Sequence, residues 1–260
     1  MEQDGVLYDI QNGIGWITLH RPQVHNALSP QVLQRLSTLF DEIQTDSTVK
    51  AVVLTGTGDQ VFSAGADIRY LQQASPLEVQ AFARLAVTVT HKIEHPGKVM
   101  VATLNGSALG GGLELAEACM LRLAVPHAQL GHPEVRIGAV VGFGGTTRLP
   151  RLIGKGRATE LLLTGKLIGA DEALQMGLIN RVVAKDQLTS TIENLLQEIL
   201  AQALVAVQLS WDALHRGLNL SVEESALLGA DYFGLVATTD DFRIGTSAFV
   251  EKTAPSFTGT

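Results

Sequence analysis

Short apolar runs typical of β-strands alternate with helical patterns between Gly15 and Val183. Runs rich in aliphatic and β-branched residues at 15–19, 51–55 and 99–103 predict strands. Pro30 directly after Ser29, followed by apolar residues at helical spacing, predicts a helix start, and a second helical pattern covers residues 76–93. Because strands and helices alternate, the predicted fold class is α/β.

The character of the sequence changes after Val183. Apolar residues recur at helical spacing from 192 to 207, and only helices are predicted from there to Phe249. We therefore expect a main domain over residues 1–200 and a separate C-terminal helical region over residues 201–260. The apolar content of that helical region indicates that it packs against another surface.

Composition excludes several classes of protein. The chain is 46% hydrophobic and 17% charged, which is typical of a globular protein with a sizeable core. Its net charge is -7 and its basic residues are scattered, so the sequence does not show the basic patch that nucleic-acid-binding proteins carry. Cys119 is the single cysteine, so no internal disulfide is expected, and no apolar run reaches the roughly 18 residues of a membrane span. With no signal-like start, a cytoplasmic location is expected.

Two glycine-centred clusters, at residues 63–67 and 110–112, are the candidate turns whose main-chain N–H groups could bind a substrate. The glycine triplet precedes a helix-compatible run, so its N–H groups lie unpaired at the positive end of a helix dipole. Amides placed in this way stabilise an anion or a polarised carbonyl. Taken alone, each cluster also fits an ordinary turn before a helix, with Asp67 as a helix cap. Neither matches a dinucleotide or phosphate-loop motif.

Two glutamates, Glu114 and Glu134, follow these clusters. Glu114 falls in the first helical turn, where the dipole is expected to favour its ionised form. Two carboxylates that converge on one water repel, so one holds its proton more tightly, which yields an acid and a base. Most of the chain's 26 acidic residues must be solvated, so the interpretation depends on the combination of the acids with the amides. The spacing of Cys119, His127 and His132 fits no familiar metal site, and no metal is expected.

Motifs in a fixed order along nearly the whole chain carry a family resemblance. They are His20 to Pro22, Asn26 to Leu28, Phe62 to Ile68, Asn105 to Ala116, Gly131 to Glu134, Gly144 to Leu149, Leu163 to Gly165, Ala173 with Gly177 and Leu178, and Ser247 to Lys252. In this combination the chain resembles a crotonase-type enoyl-CoA hydratase/isomerase. The resemblance implies a spiral of ββα units followed by a helical trimerisation region, and hence a homotrimer or a dimer of trimers.

The resemblance also implies roles for the candidate residues. The amides of Ala66 and Gly111 would form the oxyanion hole for a thioester. Hydratases of the family carry glutamates at the positions of Glu114 and Glu134, which implies addition of water to trans-2-enoyl-CoA to give 3-hydroxyacyl-CoA. Glu114 would activate water and Glu134 would protonate the α-carbon, or these roles would be reversed or shared. Gly142 matches a glycine whose amide touches the water or the acyl carbon.

Alternative functions remain open at this point. The same enolate chemistry also serves double-bond isomerisation and acyl-CoA decarboxylation, and a non-catalytic acyl-CoA-binding module would keep the amide clusters without needing both acids. Two departures from the family pattern are Met120 and the Val141-Gly142-Phe143 stretch. The second puts Phe143 near the implied acyl pocket and leaves the acyl chain length open.

Coenzyme A is implied as part of the substrate, so no separate cofactor is expected. The residues that match the family's CoA-binding positions are Gln23, Val24, Ala64, Ala66, Asp67, Ile68, Phe249 and Lys252. By the resemblance, the last two reach the nucleotide of a neighbouring subunit, where Lys252 would pair with a CoA phosphate.

Overall fold

The computed structural model describes residues 2–260, which form two compact units that meet in sequence at residues 191 and 192. The first unit contains all the strands, with helices between them. The second unit is helical. The predicted α/β class is therefore confirmed, and so is the prediction of helices alone after residue 192.

The strands belong to two sheets within the first unit. They are β1 (Glu2–Gln3), β2 (Val6–Gln11), β3 (Ile14–Leu19), β4 (Ala51–Gly56), β5 (Val61–Ser63), β6 (Val99–Leu104), β7 (Ser107–Leu109), β8 (Leu121–Ala124), β9 (Gln129–Gly131), β10 (Leu167–Gly169) and β11 (Arg181–Val182). The larger sheet has seven strands in the order β1-β2-β3-β4-β6-β8-β11, and the smaller has four in the order β10-β9-β7-β5. Pairing is parallel from β3 to β11 and among β5, β7 and β9.

The helices are α1 (Pro30–Thr45), α2 (Ile68–Gln73), α3 (Pro76–Glu94), α4 (Gly111–Ala118), α5 (Gly145–Ile153), α6 (Lys155–Thr164), α7 (Ala170–Met176), α8 (Leu188–Leu200), α9 (Leu204–Gly217), α10 (Val222–Val236) and α11 (Asp240–Glu251). Short 3-10 turns occupy Pro22–Val24, Glu134–Ile137 and Lys185–Gln187. The predicted start of α1 is confirmed, because Ser29 accepts a hydrogen bond from the N–H of Val32 and Pro30 occupies the first turn.

The core of the first unit explains where the glycine clusters lie. Strand β6 is buried along its whole length and β4 along nearly all of it, as expected for parallel strands covered on both faces. Each of these strands is followed by a short strand of the smaller sheet, β5 after β4 and β7 after β6. Because β5 and β7 pair in parallel, the clusters that follow them begin at the same end of the smaller sheet, where both strands have their carboxyl ends.

The second unit is tied together at its C-terminal end by Asp241. This buried carboxylate accepts hydrogen bonds from the N–H groups of Thr258 and Gly259, at 2.7 and 2.9 Å. The last residues of the chain therefore fold back onto the start of α11. Between residues 2 and 260, no helix combines the length and the apolar character needed to cross a bilayer.

Candidate active site

The cluster after β5 presents a main-chain donor at Ala66. Gly65 turns the chain with a φ of +88°, and the segment then pairs with Leu28 in a short parallel bridge. The bridge uses the carbonyl of Gly65 and the N–H of Asp67, each bonded to Leu28 at 2.8 Å. The Ala66 N–H donates to no acceptor among residues 2–260, so it is free to bind a ligand oxygen.

The cluster after β7 presents a second donor at Gly111. The N–H of Gly110 bonds to the carbonyl of Gly131 at 2.9 Å, and the carbonyl of Gly110 accepts a hydrogen bond from the N–H of Glu114 in the first turn of α4. Gly111 is the first residue of α4, so its N–H has no partner within the helix. A Cβ added to Gly65 would lie 3.1 Å from the Gly111 nitrogen. The two clusters are therefore in contact, and a side chain at residue 65 would press on the second of them.

Glu114 is buried beside these donors, with only 1% of its surface exposed. Its Oε1 accepts hydrogen bonds from the N–H groups of Phe143 and Gly145, both at 2.7 Å. Burial raises the pKa of Glu114 to about 7, because the loss of hydration outweighs the stabilising hydrogen bond from Gly145 and the nearby His132 charge. Desolvation, rather than the helix dipole considered in the sequence, is therefore the dominant influence on the ionisation of Glu114.

Glu134 reaches the same space from a different element. It opens the 3-10 turn after β9, and its side chain is 16% exposed. A Cβ added to Gly110 would lie 2.6 Å from Glu134 Oε1, so the carboxylate rests against the glycine triplet. Ligand atoms of Glu114, His132 and Glu134 all lie within 4.8 Å of one another. The structure therefore brings together the two acids singled out in the sequence.

A buried ion pair beside the acids was missed by sequence reasoning. His132 Nε2 donates to Glu117 Oε1 at 2.9 Å, and neither side chain is exposed. Burial opposes the charged imidazole, but the nearby acids, Glu117 foremost with Glu134 and Glu114, together outweigh it and raise the pKa of His132 to about 10. A signal was present in the sequence, because Glu117 lies three residues after Glu114 in an otherwise apolar helix and so shares its face.

The same group bears on the prediction that no metal binds. Glu114, His132 and Glu134 form a set of side chains that could hold a metal ion, so His132 has partners that its sequence spacing did not reveal. His127 instead bonds to the carbonyl of Asp59, and Cys119 is buried at the end of α4. The absence of a metal stays a prediction.

Gly142 and Phe143 form the wall next to Glu114. The Phe143 ring is buried and meets Phe82 edge-on, with ring centroids 5.3 Å apart. A Cβ added to Gly111 would lie 2.4 Å from that ring, so Phe143 packs directly on the glycine triplet. Gly142 is half-buried, and a Cβ there would approach nothing closer than 3.8 Å. A side chain at residue 142 would therefore meet its neighbours only at ordinary van der Waals distance.

The residues expected to bind CoA fall into two groups. In the first unit, the N–H of Ala64 bonds to the carbonyl of His25, which brings the 3-10 turn containing Gln23 and Val24 beside residues 64–68. Asp67 caps α2 and forms an ion pair with Arg21 at 3.0 Å. Ile68 is 53% exposed.

Phe249 and Lys252 belong to the second unit. Phe249 is 86% exposed on α11, and Lys252 ends that helix in the left-handed conformation with its side chain exposed. Neither side chain is buried within its own unit, so both are available for contacts with other molecules.

Free main-chain donors beside one buried and one half-buried acid, on a frame of two sheets, form the arrangement expected of a crotonase-type active site. A sequence model described as enoyl-CoA hydratase/isomerase matches residues 9–260. The chain belongs to the enoyl-CoA hydratase/isomerase family.

Comparison with individual proteins agrees with this assignment. The chain is 38% identical to a short-chain-enoyl-CoA hydratase of Clostridium acetobutylicum, with 97% of each chain covered. It is 37% identical to a crotonyl-CoA hydratase of Syntrophomonas wolfei, with 99% of each covered. A crystal structure of an enoyl-CoA hydratase from Bacillus anthracis superposes with a TM-score of 0.94 at 33% identity, covering 98% of this chain and all of the other. The predicted crotonase fold is confirmed.

Proposed function

We propose that this protein is an enoyl-CoA hydratase, which adds water to the double bond of a trans-2-enoyl-CoA in the syn sense and yields a 3-hydroxyacyl-CoA. The observation that carries the proposal is the convergence of Glu114 and Glu134 beside the first turn of α4. The names of the Clostridium and Syntrophomonas relatives support the same activity. A module that only bound acyl-CoA would not need two acids there.

In this proposal, the thioester oxygen binds between the N–H groups of Ala66 and Gly111. Both donors lack partners among residues 2–260, and the close approach of Gly65 to Gly111 supports a shared target. One such donor typically contributes about 3 to 4 kcal/mol to transition-state stabilisation. Negative charge that develops on the thioester oxygen is therefore the feature that these amides would stabilise most.

Glu114 acts as the general base on water. One of its oxygens is held by two amides, which fixes the orientation of the other oxygen. A pKa of about 7 suits this role, because a base works best when its pKa lies near the working pH. Gly142 borders the same space, and its amide would contact the water or the acyl carbon.

Glu134 acts as the general acid. The water oxygen bonds to the β-carbon while a water proton passes to Glu114, and the π electrons of the double bond move onto the thioester oxygen as an enolate. When the enolate collapses, its α-carbon takes the proton of Glu134. The chain then holds one proton on Glu114 in place of the one that left Glu134, so the protons balance.

Substrate binding and assembly complete the proposal. Coenzyme A would lie along Gln23, Val24 and residues 64–68, and the reaction as written needs no separate cofactor because CoA is part of the substrate. Phe249 and Lys252 would contact the nucleotide of a neighbouring subunit in a homotrimer or a dimer of trimers. The high exposure of Phe249 supports a role outside its own unit.

A direct assay tests the proposal. Crotonyl-CoA loses its conjugated enoyl absorbance on hydration, and we expect that loss when the purified protein is added, with 3-hydroxybutyryl-CoA as the product. A series of longer and branched enoyl-CoA substrates would then define the acyl pocket next to Phe143. Tight CoA binding with no turnover of any enoyl-CoA would overturn the proposal and favour a binding module. Shifted double bonds or released carbon dioxide would favour the isomerase or decarboxylase.

A further inference from the structure

We propose that Glu117 and His132 act as a positioning pair for the two acids, in which an imidazolium anchored by Glu117 presents its other edge to Glu134. The inference deepens the proposed hydratase function and rests on it. Neither residue is required to touch the substrate. Their role is to supply a fixed positive charge that stabilises Glu114 as an ionised base and Glu134 as the carboxylate left after it gives up its proton.

Geometry fixes the ring of His132 from several sides. Nε2 donates to Glu117 at 2.9 Å, and Nδ1 lies 4.0 Å from Oε1 of Glu134. A Cβ added to Gly145 would come within 3.1 Å of Cε1, so α5 packs against the third edge of the ring. The ring therefore has little room to turn, and the edge that carries Nδ1 faces the acids.

Two unpaired atoms indicate that this edge is turned toward the chemistry. Within residues 2–260, the buried Nδ1 of His132 and the buried Oε2 of Glu134 have no hydrogen-bond partner. Buried polar atoms are rarely left in this state unless they serve a function. If the imidazole ring served only to fill space, nothing would require its unpaired Nδ1 to face the carboxyl of Glu134.

Charge explains why the pair includes a second carboxylate. The titratable groups that face His132 are Glu114 and Glu117 of α4 and Glu134 of the turn after β9. A lone buried imidazole would lose its proton, because burial disfavours the charged form. Glu117 contributes most to offsetting that cost. The resulting imidazolium stabilises the ionised form of Glu114, the base, and the carboxylate that Glu134 becomes when it gives up its proton.

Paired substitutions separate this role from packing. The double variant Glu117→Gln/His132→Gln replaces both charged groups by neutral amides of similar size. His127→Gln is the matched control, because His127 lies outside the site and bonds to the carbonyl of Asp59 near the surface. In the double variant, we expect the acidic limb of the kcat/KM profile for crotonyl-CoA to move up by less than about one pH unit, because the His132 charge lowers the pKa of Glu114 by more than the Glu117 charge raises it. KM should change little and kcat should fall.

The single variant His132→Gln should lose more activity than the double, because it leaves Glu117 buried without its partner. A packing role would lower the melting temperature of these variants without moving their pH profiles. A pH profile of the double variant that superimposes on that of the parent would overturn the inference.

A spectroscopic readout does not depend on turnover. Two-bond proton–nitrogen NMR of the imidazole rings, with His132 assigned by its loss in His132→Gln, should show both nitrogens protonated at pH 8 in the parent. In Glu117→Gln the same ring should be neutral at that pH. A neutral His132 in the parent would contradict the inference. If the parent fails to hydrate any enoyl-CoA, the proposed function fails, while this titration still tests the ion pair.

Discussion

A side chain on Gly110 would collide with Glu134, because its Cβ would lie 2.6 Å from Oε1 of that carboxylate. The glycine also adopts φ +48° and ψ -127°, which disfavours a side chain. We therefore expect Gly110→Ala to displace Glu134 and to lower kcat about 100-fold or more, a loss in the range of general acid–base catalysis. Strain of this kind costs on the order of 1 to 3 kcal/mol of unfolding free energy.

Gly156→Ala is the control for Gly110→Ala. Gly156 lies in α6, and an added Cβ would meet nothing within 4 Å. Alanine there should leave kcat unchanged and raise stability by up to about 1 kcal/mol. Steady-state hydration of crotonyl-CoA and thermal unfolding measure both effects. Equal kinetics for the two variants would contradict the contact between Gly110 and Glu134.

Contact between the two amide clusters is tested at Gly65. A Cβ at this residue would lie 2.8 Å from the Leu109 carbonyl and 3.1 Å from the Gly111 nitrogen. Gly65→Ala should therefore push the two proposed oxyanion donors apart and lower kcat, by up to the roughly 100- to 1,000-fold typical of a lost donor. Gly58→Ala shares a positive φ, +90° against +88°, but its Cβ would meet nothing within 4 Å. If the two alanines lower kcat equally, the loss comes from backbone strain rather than from the donors.

Removing either acid tests the division of labour. Glu114→Gln and Glu134→Gln should each lower kcat by about 100- to 10,000-fold, the range of general acid–base catalysis, with little change in substrate affinity. Glu172→Gln, which breaks only an exposed ion pair with Lys166, should leave kcat unchanged. Stopped-flow hydration and equilibrium binding of a non-reactive acyl-CoA provide the two readouts. Near-normal turnover in both variants would remove these acids from the mechanism.

Stability should depend on pH through Glu114. Its pKa rises from 4.5 to about 7 on folding because the carboxyl is desolvated. A raised carboxyl pKa means that the native state holds its proton longer than the unfolded chain. Stability from this group is therefore full below pH 4.5 and is lost as the pH rises through 7, by roughly 3 kcal/mol in total.

Glu114→Gln removes that titration. The stability of the variant relative to the parent should therefore increase between pH 4.5 and pH 8. Urea unfolding at one protein concentration across this range measures the difference and avoids effects of assembly. Parallel stability curves for the two proteins would show that Glu114 ionises normally in the native state.

Local sequence chemistry was enough to predict the elements that hold the site. Ser29 and Pro30 mark the start of α1, and the glycine triplet marks the start of α4, because capping and backbone freedom act within a few residues. The buried parallel strands β4 and β6 could also be predicted from the sequence, because continuous apolar runs are typical of strands in a sheet covered on both faces. The two acids were found through their place beside the amides.

Long-range packing determined what the sequence did not reveal. Phe143 and Gly145 lie about 30 positions after Glu114, so the two hydrogen bonds that hold its carboxylate have no local signature. The same holds for the contact between Glu117 and His132, which joins α4 to the segment after β9. Desolvation of Glu114 also depends on the assembled core, so local reasoning from the helix dipole could not reveal that the pKa of this carboxyl is raised.

The double hydrogen bond to one oxygen of Glu114 links catalysis to evolution of the acyl pocket. The backbone of residues 143–145 cannot move without moving that carboxylate, because both N–H groups end on the same atom. In the proposed mechanism, changes at Val141 or Phe143 that admit a different acyl chain would therefore also reorient the base. A change in acyl chain-length preference at these residues, natural or engineered, would therefore need a second change that restores the position of the Glu114 carboxylate.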